Sequence, residues 1–197
     1  MRNTLIPGRE LALTHHLTLI DYRTMPWANG LGKTVELINR VDDGNLLWRL
    51  SMATITEDGP FSAFPGIERN LTIFSGEGFD LVEDDSGFQY SASLLTPVTF
   101  SGDTTVTAKN VVVPCDGFNV MTRSDLPKPK VWIEHNSSEI KTIASPQLAL
   151  FAISLSTVKT IDDTFRLKPY ELLLCQKTVQ LQEGKLICVA LNDDYIN

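Results

Sequence analysis

Histidine and cysteine are scarce, three of each in 197 residues, and their placement excludes most metal chemistry. A catalytic transition metal asks for two or three His or carboxylate ligands at fixed spacing. His15 and His16 are adjacent, so an extended chain sends them to opposite faces, and His135 stands alone. Cys115, Cys175 and Cys188 show no C-x-x-C spacing, and their odd number argues against a disulfide framework or a zinc knuckle. All three read as reduced thiols. Cys175 and Cys188 lie in apolar runs, as packing residues do, whereas Pro114 and Asp116-Gly117 place Cys115 in a turn. No metal and no cofactor is expected.

Positive charge is also in short supply. Seventeen Lys and Arg face 24 Asp and Glu, a net charge of −7, and no basic stripe exists to neutralise phosphates. Nucleic acid and anionic membrane are therefore not expected as partners. No apolar run approaches the roughly 18 residues of a membrane span, and Met1 to Gly8 lacks the apolar centre of a signal peptide. The expected compartment is the cytoplasm. The G-x-S-x-G signature of a serine hydrolase is missing as well.

What the chain does have is alternation. Apolar residues recur at period two along most of its length, while helical stripes are hard to find. The spacing predicts strands over Leu17–Tyr22, Thr34–Val41, Leu47–Thr56, Asn70–Phe74, Phe79–Glu83, Phe88–Ser91, Thr104–Val113 and Phe118–Arg123. It predicts more over Val131–His135, Gln147–Ser154, Phe165–Lys168, Tyr170–Gln176 and Lys185–Leu191. Turn chemistry separates many of them, as in Asp42-Asp43-Gly44-Asn45 and Ser75-Gly76-Glu77-Gly78. Short strands at this spacing indicate an all-β sandwich or barrel. Helix is expected only near Arg9–His15 and as a turn around Ser137–Thr142. The prolines of Asp125-Leu126-Pro127-Lys128-Pro129-Lys130 stiffen the best candidate for a joint, dividing the chain into 1–125 and 126–197 as parts of a single structural unit.

The segment Trp27-Ala28-Asn29-Gly30-Leu31-Gly32-Lys33-Thr34 ends like a phosphate-binding loop but fails its spacing. G-x-x-x-x-G-K-[ST] needs glycine five residues before Gly32, where Trp27 stands, and a helix afterwards, where Val35-Glu36-Leu37-Ile38 reads as a strand. Two readings of the turn remain: a plain entry into a strand, or a glycine-rich approach of backbone amides and Asn29 to a ligand.

Strand parity carries more information. Along Leu47–Ala53, Arg49, Ser51 and Ala53 share one face and Trp48, Leu50 and Met52 the other. Along Phe118–Arg123 the same division groups Asn119, Met121 and Arg123, and Thr34 and Glu36 also share a face. Mixed polar and apolar neighbours of this kind line pockets, and the planar fork of arginine grips a carboxylate through two hydrogen bonds. The alternative is that Arg49 and Arg123 face solvent or pair with carboxylates such as Glu36.

Three segments, taken in order, resemble the HutD/Ves family of bacterial proteins. Trp27-Ala28-Asn29-Gly30-Leu31-Gly32-Lys33-Thr34-Val35-Glu36 is similar to its W-x-N-G-x-G-x-T-x-E. Trp48-Arg49-Leu50-Ser51-Met52-Ala53 precedes Gly59-Pro60-Phe61-Ser62-Ala63-Phe64-Pro65-Gly66-Ile67-Glu68-Arg69, and Phe118-Asn119-Val120-Met121-Thr122-Arg123 closes the set. Leu31 stands where many members carry a third glycine, and Ser124 where a second arginine is common. The resemblance implies a cupin-type barrel with two cupin-like halves, no metal, and a link to histidine utilisation or stress-related expression. It further implies a small carboxylate as ligand, with Arg49 and Arg123 supplying charge, Asn29, Ser51 and Asn119 orientation, Glu36 alignment, Met121 a wall, and Phe61 and Phe64 a cover. Arg69 is expected to brace the loop that carries the two phenylalanines. The alternative function is a metal-independent cupin enzyme, an isomerase or hydrolase with Glu36 as general base. A homodimer is the self-association to consider.

Overall fold

Alternation resolves into short strands throughout the computed structural model, which describes residues 4–5, 14–27, 33–135, 138–140, 146–176 and 178–192. In chain order the strands are β1 (Thr4–Leu5), β2 (Thr14–Leu17), β3 (Arg23–Pro26), β4 (Lys33–Asp42), β5 (Asn45–Ile55), β6 (Gly59–Pro60), β7 (Ile67–Ser75), β8 (Gly78–Glu83), β9 (Gln89–Ser93) and β10 (Val98–Ser101). They continue as β11 (Val106–Lys109), β12 (Cys115–Arg123), β13 (Lys130–His135), β14 (Ser138–Ile140), β15 (Pro146–Ala152), β16 (Ser156–Lys159), β17 (Thr164–Leu167), β18 (Leu172–Cys175), β19 (Val179–Glu183) and β20 (Lys185–Asn192). The fold class is all-β.

Two compact units emerge. The first is built on Arg23–Leu126 and takes in β1; the second runs from Pro127 onward and takes in β2 and Tyr22. The boundary between them at Leu126/Pro127 lies within the proline-bearing segment, and β2 groups with the second unit. In the first unit a sheet ordered β1-β4-β5-β12-β7-β10, with β3 beside β4, accompanies a second sheet ordered β6-β11-β8-β9. Leu71, Ile73 and Phe100 from the larger sheet and Phe79, Leu81, Val106 and Ala108 from the smaller one share one buried core. The second unit repeats the plan with sheets β13-β20-β15-β18-β2 and β14-β19-β16-β17, whose core joins Leu148, Leu150, Leu173 and Leu186 to Val158, Leu167, Val179 and Leu181.

Several local expectations are corrected. The segment predicted as a strand over Leu17–Tyr22 contains a 3-10 turn at Leu19–Asp21, because the Asp21 carboxylate accepts from the Thr18 amide at 2.8 Å and from its hydroxyl at 3.0 Å and curls the chain. His15 lies in strand β2 rather than in a helix, and the rest of Arg9–His15 before Thr14 lies outside the described residues. Ser138–Ile140 forms a strand paired with β19 instead of a turn. Only Val106–Lys109 of Thr104–Val113 is ladder; Asn110 then takes a positive φ of 62°, which ends the strand. Cys115 opens β12 and is fully buried, so it is a packing residue and not part of a turn.

One close approach fixes the position of the loop between β6 and β7. Gly102 N–H donates to the Ile67 carbonyl at 2.7 Å, and Phe64 N–H donates to the Gly102 carbonyl at 2.8 Å. A Cβ on Gly102 would collide with the Phe64 carbonyl and lie 2.6 Å from that of Ile67, both backbone atoms with no room to yield. Gly102→Ala is therefore expected to lower unfolding free energy by about 1–3 kcal/mol, read as a shifted denaturant midpoint at unchanged slope. Gly59→Ala, with no atom near its added carbon, should stay within about 0.5 kcal/mol.

Candidate functional site

Inside the first unit, the inward face of the larger sheet changes character along its strands. On β7, Ile67, Arg69, Leu71 and Ile73 alternate onto one side; the last two enter the apolar core, and Arg69 is left beside a cavity of about 560 Å³. That size falls within the range of small-molecule pockets. Strand register explains its walls. Asn39, Arg49, Met121, Arg69 and Phe100 form one cross-strand row, and Glu36, Ser51, Asn119 and Leu71 form the next. Of the residues expected at a site, Arg49, Ser51, Asn119, Met121, Phe61 and Phe64 line the cavity, and Arg69 lines it with them.

Two guanidinium groups therefore share the space. Arg69 is only 6% exposed. It donates from Nη1 to the Ser62 carbonyl at 3.1 Å and from Nη2 to Asn119 Oδ1 at 3.3 Å, so it braces the loop as expected. Its charge lies against the faces of Phe61, Phe64 and Phe100, 5.2, 5.2 and 5.0 Å from the ring centres. Burial, and then the positive charge of Arg49, pushes its pKa down to about 10. Arg49 lies 5.5 Å from the centre of the Phe64 ring and donates from Nη2 to the Met121 thioether at 2.8 Å, a weak acceptor. Burial lowers its pKa too, and the carboxylate of Glu36 partly restores it. The Nε of each arginine is buried with no hydrogen-bond partner, and neither guanidinium forms an ion pair among the described residues. Both remain cationic at neutral pH. The arrangement can take up negative charge, which would relieve the repulsion between the two groups.

Two expected site residues, Arg123 and Glu36, fall elsewhere. Arg123, at the last position of β12, pairs with Asp125 through Nε and Oδ1 at 2.6 Å and is not part of the cavity wall. It shares parity with Met121, but the wall closes at the row of Met121 and Arg69, so the second guanidinium comes from β7. Glu36 faces inward by register yet does not line the cavity; it accepts from Asn39 Nδ2 at 3.0 Å and acts on Arg49 by its charge. Asn29 lies outside the described residues. The neighbouring Trp27 does line the cavity, held by donation from Nε1 to Thr34 Oγ1 at 2.9 Å. Among the described residues, no three His, Cys, Asp or Glu side chains come together as metal ligands would, and no helix is long and apolar enough to cross a membrane.

The HutD family model matches residues 20–189. This chain belongs to the HutD family. Protein Ves of Escherichia fergusonii is 36% identical over 139 residues, covering 68% of this chain and 71% of its own. HutD from Pseudomonas fluorescens SBW25 superposes with a TM-score of 0.77 at 24% identity, covering 90% of this chain and 98% of that one. A cupin 2 conserved barrel domain protein from Leptotrichia buccalis, 9% identical, superposes with a TM-score of 0.55 over 81% of this chain and 88% of its own. The cupin-type fold expected from the HutD/Ves resemblance is thereby established.

Because Phe64 faces both guanidiniums, its ring supports the charged end of the cavity. Each such contact contributes about 0.5–2 kcal/mol. Phe64→Leu, which keeps apolar bulk but removes the π face, should lower stability by about 1–2 kcal/mol in chemical denaturation. That loss should shrink when Arg69→Met is already present; an unchanged loss in the double variant would show that the ring acts by packing alone.

Proposed function

We propose that the chain is a metal-free binding protein for a small carboxylate metabolite, and that binding moderates a catabolic pathway of the histidine-utilisation type or a stress-related one. A single observation carries this reading: two guanidiniums, Arg69 buried and Arg49 half-buried, that form no ion pair among the described residues line one cavity beside aromatic and amide groups. A buried charge without a counter-charge is costly, and a guest carboxylate would offset that cost while taking hydrogen bonds from the under-satisfied Arg49. Ser51 and Asn119, on the next row, stand where they would orient the guest. We read the two units as paired cupin-like halves, on the support that each core draws on two sheets. The enzymatic alternative needs Glu36 against the substrate, and that carboxylate lies outside the cavity lining.

A thermal-shift panel of urocanate, glutamate and formylglutamate tests the reading. A ligand at a hundred times its dissociation constant adds about 2.7 kcal/mol to stability, and Arg49→Ala should abolish the effect. Retention of the full shift in Arg49→Ala, or no shift with any carboxylate, would refute it.

The pH dependence follows from the same groups. With Arg69 at about 10, neither guanidinium titrates near neutrality, and carboxylates are ionised above about pH 5. Affinity measured by calorimetry should be flat from about pH 6 to 9 and fall below about pH 5 as the ligand takes up a proton. A step near pH 6.5 would instead implicate a histidine.

A further inference from the structure

The wall around Arg49 has free donors and occupied acceptors. Arg49 and Ser51 alternate onto one face of β5, and Ser51 stands directly opposite Asn119 on β12, with the two Cβ atoms about 5 Å apart. Arg69 Nη2 lies 3.3 Å from the Asn119 amide. Arginine only donates, so the amide atom facing it is the oxygen, and Nδ2 is left as a donor. Arg49 Nη1, Asn119 Nδ2 and Ser51 Oγ make no hydrogen bond among the described residues, and all three residues line the cavity. The neighbouring acceptors are taken. The Ser62 carbonyl and Asn119 Oδ1 serve Arg69, Thr34 Oγ1 serves Trp27, and the Met121 thioether serves Arg49. Glu36 Oε1 serves Asn39 and lies outside the wall. Glu57 and Asp58 line the cavity but follow the end of β5 at Ile55, and belong to neither the Arg49 row nor the Ser51 row.

From this pattern we infer that the site prefers 2-oxo acids to unsubstituted carboxylates and rejects 2-amino acids. The inference rests on the reading of the cavity as a carboxylate site held by Arg49, and adds the group next to the carboxylate. A substituent on the adjoining carbon cannot be turned away from whatever grips that carboxylate. An oxo oxygen only accepts, and the Ser51 hydroxyl and Asn119 Nδ2 are the donors beside Arg49. An ammonium only donates; it meets occupied acceptors and the positive potential of two guanidiniums. Juxtaposed like charges exclude a wrong partner more strongly than one added hydrogen bond favours a right one.

Calorimetry on the intact chain at pH 7.5, with four ligands built on one carbon skeleton, tests this: 4-methylpentanoate, its 2-oxo and (S)-2-hydroxy derivatives, and L-leucine. The 2-oxo acid should bind about fivefold tighter than 4-methylpentanoate, the return on one hydrogen bond, and L-leucine at least about tenfold weaker. The hydroxyl matches the ammonium in size without its charge, so the 2-hydroxy acid should bind at least as tightly as the unsubstituted one. Ser51→Ala should remove part of the 2-oxo advantage. Asn119→Asp, which keeps an acceptor for Arg69, should narrow the gap between the 2-oxo acid and L-leucine. L-Leucine binding as tightly as 4-methylpentanoate, or the 2-oxo acid binding no tighter, would overturn this inference and leave the carboxylate reading standing. Loss of the 2-hydroxy acid together with L-leucine would also overturn it, because size and not charge would then exclude them. Failure of all four to bind while other carboxylates raise the melting point would overturn this inference alone. Binding of the 2-oxo acid undiminished in Arg49→Ala would overturn both.

Discussion

Two cations held inside one cavity without ion-pair partners among the described residues are the constraint to which the first unit is fitted. Removing a guanidinium from water costs several kcal/mol, and proximity adds repulsion, visible in the depressed pKa of Arg69. The protein offsets this with aromatic faces. Phe64 serves both arginines, while Phe61 and Phe100 complete the enclosure of Arg69. Such rings must be held in place, and the loop bearing Phe61 and Phe64 is tied down by Phe61 N–H to the Val106 carbonyl, by Phe64 N–H to Gly102 and by Arg69 itself. It is a fixed wall and not a flap.

The two arginines play different parts. Arg69 spends two of its nitrogens on Ser62 and Asn119 and supplies mainly positive potential and rigidity. Arg49, half-buried, is bonded to a thioether and leaves its Nε without a partner. Glu36 stands behind it, two strands from Asn119 in the same row, and sustains its charge without entering the cavity. On the carboxylate reading proposed above, the net positive charge of this wall would suit a small monoanion more than a phosphate-rich guest.

Much of this was legible in the residues. Alternation and turn chemistry placed the long strands β4, β5, β7, β8, β12 and β20, and the parity of Arg49, Ser51, Asn119 and Met121 put them on one face. What escaped was mostly set by pairing partners distant in sequence. Arg69 was expected only to brace the loop, with the strand beginning at Asn70; extending the strand back to Ile67 puts Arg69 on the same side as Leu71 and Ile73. Arg123 had the correct parity but sits one step beyond the wall, and an aspartate two residues on claims it. The short strands β3, β6, β10, β16 and β19 lack a strong pattern of their own and are recognisable only beside a neighbour. Assignment of β2 to the second unit is likewise a tertiary choice, made by pairing with β18.

The most direct test of the paired-guanidinium floor is arginine Nε–H nuclear magnetic resonance on the intact chain, with signals assigned by Arg49→Lys, Arg69→Lys and Arg123→Lys. In the free protein the Arg49 and Arg69 signals should be protected from exchange, and both should move together as benzoate is added, with Arg123 unmoved. Rapid exchange of both signals, or a response to benzoate confined to Arg123, would contradict a cavity organised around Arg49 and Arg69.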